Sequence, residues 1–335
     1  MDRSSHQRTG RWARRGAAGT ASLVAVIAVA CGAGPSAAGP SGAWTVAHPE
    51  VGVNAPATSS IYAVSCRSRT FCVAVDEVGD AIQWNGSRWS TPRRVSPNGT
   101  LNAVSCTSST FCVGLAGQQA VLYDGTTWTP SAAVGPAPTG PSGGQYEVSC
   151  TSPTFCASVN TAGVAATFDG TAWGHDAQVD AGTAAKPVQD ISCASTTFCV
   201  VVSATGDIAT FTGTGWSRRS SPGHSVLHSV SCPTSSFCMA LDLTGHALVF
   251  DGSVWKPTPA MLGAGSLTYS VSCPSESYCM VARSDGSIST WQSGSWSRPQ
   301  PVVPDGTVAS AAVSCTSTTF CAYVDSSGSV ATFRA

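Results

Sequence analysis

Residues 230–255 read VSCPTSSFCMALDLTGHALVFDGSVW, and the fold follows from this stretch. Cys232 and Cys238 enclose five residues, four of them Pro, Thr or Ser. A short apolar run, Met239-Ala240-Leu241, leads to a turn around Gly245. A second run, Ala247-Leu248-Val249-Phe250, leads to the tight turn Asp251-Gly252 and then Trp255. Short runs bounded by Gly or Asp-Gly read as strands joined by hairpins, and no helical period interrupts them. The stretch therefore predicts a four-stranded unit. Strand 1 ends at the first Cys, strand 2 starts at the second, strand 3 ends before Asp-Gly, and strand 4 carries Trp.

The unit recurs seven times. Its cysteine pairs are Cys66/Cys72, Cys106/Cys112, Cys150/Cys156, Cys193/Cys199, Cys232/Cys238, Cys273/Cys279 and Cys315/Cys321. Their starts are spaced by 40, 44, 43, 39, 41 and 42 residues, the period of a propeller blade. The seventh repeat stops at Phe333-Arg334-Ala335, before any Trp strand, and the missing piece stands at the other end of the chain as Gly42-Ala43-Trp44-Thr45. Pairing that segment with the last repeat leaves no open sheet edge. The expected fold is all-β: a seven-bladed β-propeller with four strands per blade, closed by its N-terminal strand. Most aromatic residues occupy fixed repeat positions, which makes them packing between blades and not a ligand stripe.

Five intervening residues suit neither a zinc site nor a thiol redox pair. Across a hairpin they bring two Cα atoms to about 4.5 to 5.5 Å, within disulfide range, so all fourteen repeat cysteines are read as structural disulfides within their own hairpins. Fifteen cysteines leave Cys31 without a mate.

Charge sets further bounds. Only 10% of the 335 residues are Asp, Glu, Lys or Arg. The first 43 residues hold five arginines and one Asp, leaving 12 basic and 17 acidic residues downstream, no footprint for nucleic acid. Arg3, Arg8, Arg11, Arg14 and Arg15 precede an apolar run from Ala17 to Ala30, the layout of an export signal and too short for a usual membrane span. The segment resembles a bacterial lipoprotein signal, which implies acylation at Cys31. Cleavage after Ala30 without acylation, or after Ala38, gives a soluble secreted protein instead. The expected organisation is a signal peptide over 1–30, a Gly-, Ala-, Pro- and Ser-rich tether over 31–43 and the propeller over 44–335. The expected location is extracytoplasmic, as a cell-membrane lipoprotein or in soluble form.

Val-Ser-Cys, four mostly polar residues, an aromatic and Cys, an apolar strand, Gly, an aromatic, Asp-Gly and Trp: over residues 44–335 this repeat resembles the disulfide-bearing propeller repeats of proteins exported by actinobacteria. It is more distantly similar to photosystem II assembly-factor-like and sialidase-type Asp-box propellers. The resemblance implies fold and export and leaves activity open.

Function is sought where the repeat departs from itself. The distance from Trp to the next Cys ranges from 16 to 22 residues, so length variation falls in the connections from strand 4 to the next strand 1. On that face the residues four before the first Cys are Tyr62, Asn102, Tyr146, Gln189, His228, Tyr269 and Ala311. One place later stand Ala63, Ala103, Glu147, Asp190, Ser229, Ser270 and Ala312. With strand 1 innermost, these positions flank the mouth of a central channel. Candidate ligand-binding residues are Tyr146, Glu147, Gln189, Asp190, His228, Tyr62 and Tyr269; the competing reading makes them satisfied polar groups of a watered channel. Asp76, Asp242 and Asp325 recur four residues after the second Cys and are read as turn residues. No cofactor, metal site or catalytic residue is assigned. The expected function is a monomeric, non-catalytic binding module for a protein partner or cell-envelope glycan. A glycan-active hydrolase or lyase using Glu147 and Asp190 is the alternative.

Overall fold

In a computed structural model of the chain, the repeats form seven antiparallel sheets, six of four strands and one, in blade six, with a fifth short strand. Residues 42–49, 59–97, 99–135, 146–179, 187–220, 226–261, 263, 265–303, 306 and 308–335 are described. The segment read as an export signal, Cys31 and nearly all of the segment read as a tether lie outside them. Blade five shows the plan, with strands Leu227–Thr234, Phe237–Asp242, Ala247–Phe250 and Trp255–Pro257. Blade seven takes Ala311–Ser317, Phe320–Asp325 and Val330–Arg334 from the end of the chain and Ala43–Ala47 from its beginning. Trp44 lies opposite Phe333 and Ala43 opposite Arg334, so the closure expected from the sequence is present.

Two outer strands depart from the plan. In blade one the outer strand is reduced to Arg93–Arg94, and Trp89 reaches the sheet only through an isolated bridge to Trp84. In blade six it is split into Ser295–Trp296 and Gln300–Pro301. Proline lacks the N–H that a strand ladder needs, and Pro92 and Pro299 sit at the two interruptions.

Each blade is covered on both faces, so strand 2 is apolar throughout rather than alternating. In blade one Cys72 and Ala74 pack towards blade seven while Val73 and Val75 pack towards blade two. The period of two thus divides one run between two interfaces. Seven apolar clusters result, one at each blade interface. The strand 3 aromatic and the strand 4 Trp meet in every blade, as in Phe168–Trp173 at 5.3 Å between ring centroids. The pair that spans the closure, Trp44–Phe333, lies at 5.5 Å.

In blades one, two, three and five, strand 3 turns into strand 4 through an Asx turn. Asp169 accepts the N–H groups of Thr171 and Ala172, and Gly170 follows at φ +99°, where a Cβ would be strained and would press on Thr154.

All seven cysteine pairs are disulfide-bonded within their hairpins: Cys66–Cys72, Cys106–Cys112, Cys150–Cys156, Cys193–Cys199, Cys232–Cys238, Cys273–Cys279 and Cys315–Cys321. The pairing matches the sequence-based expectation, but the spacing corrects it. The Cα atoms are 3.9 to 4.1 Å apart, closer than a plain hairpin implies. In five blades the bonded cysteines face each other directly and a bulge follows at once, as at Cys66↔Cys72, Cys106↔Cys112, Cys150↔Cys156, Cys193↔Cys199 and Cys315↔Cys321. In blades five and six the register shift spans the bond itself, so Cys232–Cys238 and Cys273–Cys279 join strands whose ladder is interrupted there. Those are the two hairpins with Pro after the first cysteine, Pro233 and Pro274.

The serine before the first cysteine of each pair holds the ring together. Ser149 Oγ accepts the N–H of Cys193 on the next blade at 2.9 Å, and the same bond recurs at all seven interfaces, ending with Ser314 to Cys66. These N–H groups point away from strand 2 and have no partner within their own sheet. Leaving one buried and unpaired costs about 1 to 3 kcal/mol.

Candidate functional site at the mouth of the central cavity

Strand 1 is innermost in every blade, and each strand 1 packs on the next around the ring. It runs towards its disulfide, so the Cys hairpins and the strand 3–4 turns share one face. The strand 2–3 hairpins and the strand 4–1 connections share the other, which is called the mouth face below. There a cavity of about 330 Å³ is lined by the innermost strands of all seven blades. Tyr62, Glu147, Gln189, Asp190, His228 and Tyr269 all reach it, as the ring positions require. The backbone of Tyr146 pairs with Asn160, and its side chain lies outside the described residues.

The two carboxylates differ in their bonding. Asp190 Oδ1 accepts the N–H of Ile191 at 2.7 Å, while Oδ2 accepts the Ser229 hydroxyl at 2.9 Å and the Val230 N–H at 2.8 Å. Both oxygens are therefore engaged, and two of the three bonds tie blade four to blade five. Burial pushes the Asp190 carboxyl up to about 6 against these hydrogen bonds, which pull it down. Glu147 is held well above the ordinary carboxylate range, first by burial and then by the charge of Asp190. His228 Nδ1 lies 3.1 Å from Gln189 Oε1, its ring meets Tyr269 edge-on, and burial lowers its pKa. Tyr269 donates to the Val308 carbonyl. Burial and the Glu77 carboxylate together raise the Tyr62 phenol.

Sequence reasoning located these positions and missed what the residue three before the first Cys does. It caps the inward N–H two residues before the Cys of the next blade. Asp190 caps Val230, Ser229 caps Val271 and Ser270 caps Val313. At the same place blades seven, one and two carry Ala312, Ala63 and Ala103. Among the described residues no side chain caps the corresponding N–H groups of Val64, Val104 and Val148, which line the cavity. Half of the wall is thus self-satisfied and the other half offers donors. The alternation of Ala with Asp and Ser was visible in the sequence, but not its meaning.

Asp76, Asp242 and Asp325 each accept two backbone N–H groups of the strand 2–3 hairpin, the turn role expected of them.

The buried acids give a pH dependence of definite sign. A carboxyl whose folded pKa is raised contributes fully below its unfolded value near 4, and that contribution is lost as pH rises through the folded value. The melting temperature of the wild type is expected to fall as pH rises from about 4 through about 6, and Glu147→Gln to flatten the fall. Thermal melts across that range check it; parallel profiles for the two proteins would refute the assignment.

No family model and no curated protein sequence matches the chain. Its fold is similar to solved propellers. "YCF48 bound to D1 peptide" aligns with TM-score 0.67 and 15% identity over 87% of this chain and 95% of that one. YCF48 from Cyanidioschyzon merolae gives 0.65 and 13%, over 87% and 98%. The WD40 propeller domain of Doa1 gives 0.65 and 15%, over 87% and 95%. The likeness to YCF48 agrees with the distant resemblance to photosystem II assembly-factor-like propellers, and at these identities it establishes the propeller fold alone.

Proposed function

We propose that this protein is an exported, lipid-anchored propeller that binds a partner in its central mouth without catalysing a reaction. The observation carrying the reading is the divided wall. Uncapped N–H groups on blades one to three face polar side chains on blades four and five, with Tyr62 and Tyr269 beside them. Such a recess suits a segment rich in acceptors, either the carbonyls of a protein chain or the hydroxyls of a cell-envelope glycan. A YCF48 structure is described as bound to a D1 peptide, which supports a protein chain here. Seven disulfides support maturation in an oxidising compartment, and the signal-like N-terminus ending at Cys31 supports a lipid anchor. The second reading, a glycan-active enzyme, rests on Glu147, a carboxyl with a raised pKa in the cavity wall.

The purified protein, screened on peptide and glycan arrays, is expected to yield a binder. Ala63→Ser with Ala103→Ser, which supply the missing caps, should weaken that binder about tenfold or more, equivalent to about 1.4 kcal/mol. Thr196→Ala, in a Cys hairpin on the opposite face, should leave it unchanged. Sensitivity at Thr196 with silence at the mouth would move the site, and glycan turnover lost in Glu147→Gln would establish the enzyme. Metabolic labelling with a clickable fatty acid should mark the wild type and spare Cys31→Ser. An unlabelled wild type beginning near Gly39 would end the anchor reading.

A further inference from the structure

We infer that the Cys face of blade one, with the adjoining end of blade seven, is a docking surface for an anionic lipid bilayer, formed by Arg67, Arg69, Arg88 and Arg334. The inference rests on the lipid-anchor reading for its geometry. Arg67 and Arg69 lie on the Cys hairpin of blade one, Arg88 on its strand 3–4 turn, and Arg334 at the Cys-face end of strand 3 in blade seven. All four are exposed. Arg69, Arg88 and Arg334 share one corner: Arg334 donates to the Gly86 carbonyl and stacks over Trp84 at 5.2 Å, and the Trp84 indole donates to the Arg69 carbonyl, while Arg67 extends the patch towards blade two, where it donates to the Thr107 carbonyl. Gly86 lies against Thr70 on the same Cys hairpin.

This corner is electrostatically unlike the rest of its face. The strand 3–4 turns of blades two, three and five carry Asp124, Asp169 and Asp251, whereas blade one carries Asn85. Glu276, on the Cys hairpin of blade six, bonds Thr234 and Ser236 of blade five. Among the described residues none of the four arginines is in a salt bridge. Exposed guanidinium groups free of carboxylates match phosphate headgroups, which they can bind in bidentate fashion.

The chain also enters from this corner. Ala43 lies opposite Arg334 and Ala47 opposite Val330, so the first strand starts at the Cys face and runs to the mouth face. Residues 32–42 separate it from Cys31, a span of about 40 Å at full extension and about 18 Å as a random coil. A lipid on Cys31 keeps the arginine corner within reach of the headgroups, although attraction at physiological salt decays over about 8 Å. Docking then turns the Cys face to the membrane and the mouth outward to its partner.

Residues 35–335 form a unit by themselves that holds all seven sheets, so this part serves for the test without the signal segment. Flotation is measured with vesicles of phosphatidylcholine alone and with vesicles containing about one third phosphatidylglycerol. Partitioning into the anionic vesicles is expected to be at least about tenfold stronger and to vanish near 0.5 M salt. Arg67→Glu, Arg69→Glu and Arg88→Glu together should abolish the preference. Arg93→Glu with Arg298→Glu, at the exposed outer edges of blades one and six, should keep it. Arg69→Glu with Arg88→Glu serves if the triple variant misfolds, because Arg67 also bonds the Thr107 carbonyl. Equal partitioning into both vesicles, or equal loss in the control pair, overturns the proposal. Failure of Cys31 labelling with the anionic preference intact removes the anchor and keeps the surface; labelling without the preference does the reverse.

Discussion

Deletion of residues 32–48 is expected to produce an aggregating or grossly destabilised protein, whereas deletion of 32–40 leaves the melting temperature nearly unchanged. The longer deletion removes the outer strand of blade seven. It uncovers Phe333, fully buried in the closed ring, and exposes the ladder edge of Val330–Arg334. An unpaired apolar edge invites pairing between molecules. Trp44 also packs on Tyr323 at 6.3 Å, so its loss opens the interface between blades six and seven. Trp44 is half-buried, so removal of its side chain alone should cost less than the roughly 3 to 5 kcal/mol typical of a fully buried Trp, and loss of the strand pairing adds to it. Gly42 belongs to the closure as well, since a Cβ there would lie 2.5 Å from the Phe333 ring and the Arg334 carbonyl; the short deletion retains it. Size-exclusion profiles and thermal melts of the two deletions decide the matter, and equal behaviour would refute closure by the N-terminal strand. Trp44→Ala isolates the aromatic contribution and should lower stability without removing the strand.

Full reduction is expected to unfold the protein at temperatures where the oxidised form is native. Each disulfide closes a loop of seven residues, worth about 2.4 kcal/mol of unfolded-chain entropy, or about 17 kcal/mol for all seven bonds. That exceeds the usual net stability of about 5 to 15 kcal/mol. The second cysteine of every pair is completely buried: Cys72, Cys112, Cys156, Cys199, Cys238, Cys279 and Cys321. Reductant therefore enters through the first cysteine of a pair, which is half-buried at Cys150 and Cys193 and buried in the other five, so reduction of those five should be slow below the melting temperature. Melts with and without reductant, after equilibration under denaturing conditions, measure the effect. A reduced protein that refolds and melts like the oxidised one would show that the apolar interfaces suffice. Replacing Cys193 and Cys199 by Ala should cost about 2 to 3 kcal/mol, because the other six bonds remain.

The repeat, the strand order within a blade, the disulfide pairing and the closing strand were all legible in the sequence. Each is fixed by residues within one period or by matching one copy of the repeat with another: Cys232 finds Cys238 six positions away, and Trp44 is recognised as the Trp strand that the seventh repeat lacks. The mouth positions were legible for a similar reason, since an innermost strand that departs from its copies must do so at the channel. Their roles were not. Asp190 read as a candidate ligand or base, yet two of its three bonds go to residues 39 and 40 positions further on, and they exist only because blade five stands beside blade four. The serine before each first cysteine read as part of a strand, but its hydroxyl serves the N–H of the next blade's cysteine, 40 positions away for Ser192 and Cys232. Arg67, Arg88 and Arg334 are scattered along the chain, and only ring closure brings the end of blade seven against blade one. Local strand pattern is written by period and turn chemistry within about ten residues. Which donor meets which acceptor across an interface depends on how seven sheets pack around one axis, and that geometry exists only when the ring is complete.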